Sequence, residues 1–185
     1  MPGSFLIRRA AAAVAAGGVI AYPTEGVYGL GCDPENEDAV ARLLDIKQRP
    51  AEQGLILIAA HIDLLNNYFA PLPEPARQQL EDSWPGPQTW LVPAADSAPE
   101  WITGRHTTIA VRVTDHPVAS ALCASCGHAL VSTSANITGH PPARSAHAVR
   151  RMMGEQLDYI LSGPVGRLGG ATPIRDLRSG QLIRA

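Results

Sequence analysis

The sequence predicts an α/β fold, and three observations point there. Strand-like and helix-like stretches alternate along the chain, and neither an internal repeat nor a long linker interrupts them. A length of 185 residues fits a single domain over residues 1–185, large enough to bury a core without disulfides or structural metal. An apolar share of 45% is that of a soluble globular protein.

The elements follow in order. Arg8-Arg9 precedes an alanine-rich run over residues 10–16, read as a helix stopped by Gly17-Gly18. The run resembles a secretory leader only superficially. The glycines interrupt it, and cleavage beyond it would remove the segment that feeds into Tyr22-Pro23-Thr24. Apolar and β-branched runs bounded by turn residues give strands at 19–22, 55–59, 89–92, 109–113, 129–132, 174–176 and 181–183. Helical spacing with start and stop signals gives helices at 37–46, 62–69, 75–83, 117–125 and 146–153. Gly29-x-Gly31 lacks the third glycine and the following helix of a dinucleotide fingerprint, and its spacing favours a tight turn over a phosphate loop.

Charge and cysteine usage narrow the function classes. A net charge of −2 gives no global attraction to nucleic acid or anionic membrane, so RNA contact would need a local patch. Arg105, Arg144, Arg150, Arg151, Arg175 and Arg178 would supply one if the fold gathered them. No stretch approaches the roughly 20 apolar residues that span a bilayer, and the expected location is cytoplasmic, with no membrane partner. Three cysteines, an odd number, do not make a disulfide framework. Cys123-x-x-Cys126, near His116 and His128, raises a zinc or redox reading, but zinc would need two further placed partners. The apolar spacing over 118–126 instead puts both cysteines on one buried helix face, and no resident metal is assigned.

Two short segments carry the chemistry. In Lys47-Gln48-Arg49-Pro50 the cations stand two apart, and the proline pushes Arg49 out of helical backbone, so the pair reads as extended. In Ser132-Thr133-Ser134-Ala135-Asn136 the alternate residues form a polar row, directly after the apolar run Ala129-Leu130-Val131. That places the row at a strand's carboxyl end, where α/β proteins bind ligands. Two cations with a hydroxyl and amide row suit a phosphate-bearing ligand. No Walker loop, G-x-S-x-G elbow or H-E-x-x-H pair is present. Arg112 lies in an apolar strand pattern, where an unpaired charge is costly; it faces a ligand carboxylate or an internal salt bridge to Asp115 or Asp176.

These segments, with Tyr22-Pro23-Thr24-Glu25 and Tyr28-Gly29-Leu30-Gly31 upstream, resemble the YrdC/TsaC family of L-threonylcarbamoyladenylate synthases. Lys47, Arg49, Ser134 and Asn136 match its K-x-R and S-x-N signature. Trp84-Pro85-Gly86-Pro87, Ala110-Val111-Arg112-Val113 with His116-Pro117, and Ile174-Arg175-Asp176 extend the likeness over almost the whole chain, in the short single-domain form. The resemblance implies a twisted, mixed β-sheet flanked by helices, the YrdC-like (RibB-like) α/β fold. It implies that L-threonine, bicarbonate and ATP become threonylcarbamoyl-AMP and pyrophosphate, with Mg²⁺ accompanying ATP. A separate tRNA-modifying transferase complex would then use the intermediate to make threonylcarbamoyladenosine next to the anticodon.

By the same resemblance Lys47 and Arg49 are the catalytic cations, and Lys47, Arg49, Ser134 and Asn136 bind ATP. Thr24, Arg112, Ser132 and Thr172 contact threonine. The chain departs from the pattern at Gly26, at Gly169-Gly170-Ala171-Thr172-Pro173, and in having no histidine between Gly54 and His61, which leaves His61 outside the site. Two other classes fit the resemblance. One is an RNA-binding protein acting on tRNA or ribosomal RNA precursors, with tRNA or double-stranded RNA as partner, and the other is a carbamoyl transferase with a different acceptor.

Overall fold

The computed structural model describes residues 2–184. In chain order the elements are α1 (Ser4–Ala15), β1 (Ile20–Pro23), β2 (Tyr28–Gly31), α2 (Glu37–Lys47), β3 (Ile56–Ala59) and α3 (Glu74–Ser83). There follow β4 (Thr89–Pro93), α4 (Glu100–Thr103), β5 (Thr108–Val113), α5 (Pro117–Cys126), β6 (Leu130–Ser134), α6 (Ala146–Met153), β7 (Tyr159–Ile160), β8 (Ile174–Asp176) and β9 (Leu182–Arg184). The strands form one mixed sheet in the order β7-β1-β2-β6-β3-β5-β4-β8-β9. Pairs β1–β7, β3–β5 and β4–β8 are parallel, and the others antiparallel.

Side-chain alternation on the strands divides the core into two layers. Val19, Ala21, Leu57, Ala59, Val111, Val113 and Val131 point to the layer that also buries Val40, Leu43, Leu80, Ile102 and Val149 from the helices α2, α3, α4 and α6. Ile20, Tyr22, Ile58 and Leu130 point to the opposite layer, covered by Ile7, Ala10, Val14, Val118, Leu122 and Cys123 of α1 and α5. Sequence explains the helix ends. The Asn36 side chain accepts from the Ala39 amide at 3.0 Å, Glu37 and Asp38 follow in the first turn of α2, and Ser145 caps α6 through the Ala148 amide.

Several expectations are corrected. Lys47 is the last residue of α2, and Gln48 takes the left-handed conformation at its C-cap (φ 51°, ψ 49°), so Lys47 and Arg49 do not form an extended pair. The helix expected over 62–69 is a 3-10 turn, Ile62–Leu65, and Phe69 instead bridges Ala94 beside β4. Gly29 and Gly31 lie inside β2 rather than in a turn. A Cβ on Gly31 would stand 2.2 Å from the Val131 carbonyl oxygen and 2.9 Å from the Tyr22 ring, so close strand approach is what requires glycine there. Finally, β6 runs on through Ser134, which puts both serines of the polar row within the strand and not after it.

Candidate functional site

The strand registers align one row of side chains along the α1/α5 face of the sheet. Gly29 of β2 lies opposite Ser134, Ser132 opposite Ile56 of β3, Ile56 opposite Ala110 of β5, and Ala110 opposite Leu91 of β4. Ile58 lies opposite Arg112, and Thr89 of β4 opposite Ile174 of β8, itself paired with Arg184 of β9. Two hollows open on this row. An inner pocket of about 50 Å³ is lined by Thr24, Tyr28, Arg112, Ser132, Ser134 and Thr172 with Val27, Gly29, Ile56, Thr133, Ala171 and Arg184. An outer cavity of about 280 Å³ adjoins it, shares Ile56, Ser132, Thr133, Ser134 and Arg184, and extends past Arg49 to a wall that includes Leu55, Leu91, Ile102, Ala110, Ile174 and Ile183.

The four residues assigned to threonine by resemblance, Thr24, Arg112, Ser132 and Thr172, all line the inner pocket. Arg112 is only 3% exposed, and its Nη1 donates to Thr172 Oγ1 at 2.7 Å and Thr89 Oγ1 at 3.0 Å. Its ion pair is with neither Asp115 nor Asp176. Nη2 reaches Glu25 Oε2 at 3.3 Å, and Glu25 Oε1 accepts from Thr114 Oγ1 at 2.5 Å. Thr24 Oγ1 donates to the Val27 carbonyl at 2.8 Å, closing the turn between β1 and β2.

The residues assigned to ATP divide. Arg49 and Ser134 line the outer cavity, whereas Lys47 and Asn136 lie behind its wall. Lys47 is 2% exposed and its ammonium donates to the Ser134 carbonyl at 2.5 Å, the Asn136 carbonyl at 3.0 Å and Asn136 Oδ1 at 3.2 Å. Those three acceptors use all its donors. Ser134 Oγ also donates to Asn136 Oδ1, at 2.7 Å, and Asn136 Nδ2 donates to the Ile137 and His140 carbonyls. Burial, and then the neighbouring Arg49 charge, lower the Lys47 ammonium to about 8.

Among the described residues, two buried side-chain nitrogens have no hydrogen-bond partner: Nε of Arg112 and Nε of Arg49. Arg112 lines the inner pocket and Arg49 the outer cavity, and Arg184 lines both. A buried donor without an acceptor costs roughly 1–3 kcal/mol, so each is an open demand for an acceptor. Burial lowers the pKa of Arg49; burial, and then the charges of Arg112 and Arg49, lower that of Arg184. Arg184 therefore stands in the field of the other two guanidinium groups, a setting that favours an anion beside it.

Sequence reasoning left out Glu25, Thr89, Thr114 and Arg184. Glu25 stood in the quoted Pro-Thr-Glu motif without a role, but its contact with Arg112 spans 87 positions of sequence, and no local spacing reports it. Arg184 also donates from Nη2 to the Thr172 carbonyl at 2.9 Å, tying β9 to the inner pocket's rim. The zinc and redox reading of the cysteines gains nothing. His116 Nδ1 accepts from the Ala119 amide at the start of α5, while burial raises Cys123 and lifts Cys126 to about 11.

Comparison with known proteins bears on the family and the fold. The Sua5/YciO/YrdC family model, described as "Telomere recombination", matches residues 12–185. The chain is 56% identical over 185 residues to the threonylcarbamoyl-AMP synthase of Halorhodospira halophila, covering 99% of this chain and 97% of that protein. It is 53% identical over 178 residues to the threonylcarbamoyl-AMP synthase of Nitrosococcus oceani, covering 96% of each. The crystal structure of P. abyssi Sua5 complexed with L-threonine superposes with a TM-score of 0.92 at 35% identity, over 98% of this chain and 54% of that longer one. E. coli YciO superposes with a TM-score of 0.87 at 28% identity, over 100% of this chain and 90% of that one. With the family model spanning residues 12–185 and relatives more than 50% identical over almost the whole chain, the chain belongs to the Sua5/YciO/YrdC family.

Proposed function

We propose that the protein is an L-threonylcarbamoyladenylate synthase, converting L-threonine, bicarbonate and ATP into threonylcarbamoyl-AMP and pyrophosphate. One observation carries this reading: a small inner pocket and a larger outer cavity meet at the Ser132–Ser134 edge, and each is lined by an arginine whose Nε is buried and unpartnered. A carboxylate in the inner pocket would satisfy Arg112, with Thr24, Ser132 and Thr172 supplying hydroxyls for the amino acid's other polar groups. The phosphates of ATP would satisfy Arg49 and Arg184 in the outer cavity, alongside the Ser134 hydroxyl.

The reaction needs little covalent help from the protein. The threonine amine captures bicarbonate as a carbamate with loss of water, the carbamate oxygen attacks the α-phosphorus, and pyrophosphate leaves. The carbamate is short-lived in water, so adjoining, partly enclosed hollows act by proximity and by excluding solvent. Charge that gathers on the α-phosphate and the departing pyrophosphate is met by Arg49 and Arg184, whose positions are fixed before substrate arrives. Lys47 and Asn136 act from behind, holding the Ser134 wall at its place. Mg²⁺ fits this site as part of the MgATP substrate. Beside its apolar wall the cavity presents Arg49, Arg184 and hydroxyls but no carboxylate, and no group of three His, Cys, Asp or Glu residues suited to a metal occurs among the described residues.

The product would pass to a separate tRNA-modifying transferase complex. For direct RNA contact, two pairs of the arginines named above lie apart. Arg150 and Arg151 lie on α6, which packs beside β1 and β7, whereas Arg175 and Arg178 lie on and after β8, near the other end of the sheet. The test is pyrophosphate release from MgATP, omitting threonine and bicarbonate in turn. Release that requires both, and that falls at least about a hundredfold in Arg112→Gln and Ser134→Ala, is the expected result. No release from the folded wild-type protein would overturn the reading.

A further inference from the structure

Glu25 has no part in the reading above, yet it is an enclosed charge directly paired with a residue of the inner pocket. It is 5% exposed, and its two carboxylate oxygens are divided between Arg112 Nη2 and Thr114 Oγ1. Thr114 in turn accepts from the His116 amide at 3.2 Å, at the start of α5. The carboxylate is therefore also held by Thr114, which follows β5 two residues after Arg112, so it stays in place if the guanidinium swings. On its other edge Arg112 Nη1 is held by Thr89 and Thr172. Together these contacts leave Nε and the remaining Nη2 hydrogen for a ligand, a side-on fork matched to a carboxylate.

The backbone around Glu25 is equally fixed. The Gly166 amide donates to the Thr24 carbonyl at 2.9 Å, and the Leu168 amide donates to the Glu25 carbonyl at 3.1 Å. A Cβ on Gly166 would lie 2.5 Å from that same Glu25 oxygen. A buried ion pair is weak grounds for stability, because removing two charges from water costs about what their attraction returns. Its presence beside a ligand pocket calls for a role in binding.

We infer that Glu25 is a positioning residue that both aims the Arg112 fork and offsets its charge, so that the inner pocket selects a zwitterionic α-amino acid over the corresponding amine-free anion. This rests on threonine occupying the inner pocket. An uncompensated Arg112, with Arg184 at the rim, would favour any small carboxylate. With Glu25 one guanidinium away, a ligand gains fully from Arg112 only if it brings a cation as well as an anion, as an α-amino acid does.

The experiment compares L-threonine with 3-hydroxybutanoate, which keeps the carboxylate and hydroxyl but lacks the amine, by calorimetric titration of wild type, Glu25→Gln and Glu25→Asp. In Glu25→Gln the ratio of the two affinities should move toward 3-hydroxybutanoate by about tenfold, and Glu25→Asp should restore most of the wild-type ratio. A merely structural role for Glu25 would weaken both ligands alike, and an unchanged ratio overturns the inference. If Glu25→Gln does not fold, Thr114→Val carries the test, because it unties the carboxylate without changing the charge. Threonine should then lose at least about threefold more affinity than 3-hydroxybutanoate, and equal losses overturn the inference. Absence of threonine binding in the wild type would instead remove the synthase reading and this inference together.

Discussion

The Lys47 ammonium spends its three donors on residues 134 and 136, so one charge at the end of α2 fixes the wall between the two hollows. That makes the site sensitive to pH in a definite direction. Below about 8 the ammonium is charged and the tether complete; above it the neutral amine offers one donor fewer and no charge. Pyrophosphate release should therefore fall on the alkaline side with a midpoint near 8, and Lys47→Arg, if active, should carry that limb beyond the measurable range. Stability should move the other way. Between about 8 and the ordinary lysine value of 10.5 the unfolded chain keeps a proton that the folded protein has released, so this group's contribution to stability rises with pH. Thermal unfolding of Lys47→Met, compared with wild type from pH 7 to 10, should lose that rise; an identical slope in both proteins would refute the assignment. The sequence singled out Lys47, but its geometry was not legible there. Its spacing from Arg49 suggested two cations facing a ligand together, whereas the left-handed turn at Gln48 sends one behind the wall and one into the cavity.

At the scale of elements, two glycines with similar sequence surroundings do different work. Gly31 sits in β2 against the Val131 carbonyl and the Tyr22 ring, both within the core. Gly31→Ala must push two central strands apart and should cost about 1–3 kcal/mol of stability, read as a lower denaturant midpoint. Gly26 instead faces the segment over 163–172 that carries Ala171 and Thr172 to the pocket, and a Cβ there would lie 1.8 Å from the Gly170 carbonyl oxygen. Gly26→Ala must displace the backbone of that segment, which the amides of residues 166 and 168 tie to Thr24 and Glu25. It should therefore also cost about 1–3 kcal/mol of stability and, unlike Gly31→Ala, raise the threonine KM roughly tenfold; an unchanged threonine KM would contradict it. The sequence made the long elements legible because their spacing is local: α5 and α6 fall within a residue of expectation. It concealed β2 and β7 because a strand containing two glycines and a strand of two residues, Tyr159–Ile160, are made by their neighbours and carry no period of their own.

Across the whole molecule, charge is distributed against the average. The chain has 15 lysines and arginines against 17 aspartates and glutamates, yet the lining of the outer cavity contains Arg49 and Arg184 and no carboxylate. Composition alone argued only that the protein lacks a general affinity for anions. The sheet order then brings β9, the last strand, beside β8 and so carries Arg184 to a cavity whose other cation lies 135 positions earlier in the chain. The two hollows should consequently respond differently to salt. Arg112 is buried and already paired with Glu25, and a zwitterion carries no net charge to be screened. In the proposed placement ATP would meet the cations of a partly open cavity, where added salt competes directly. Raising KCl from about 0.05 to about 0.5 M, which shortens the screening length from roughly 14 to 4 Å, should raise the KM for ATP several-fold and leave that for threonine within about twofold. Arg184→Gln should raise the KM for ATP at low salt and flatten its salt dependence. Equal salt dependence for the two substrates would mean that the cavity cations do not meet the phosphates, and the placement of ATP beside Arg49 and Arg184 would have to be abandoned.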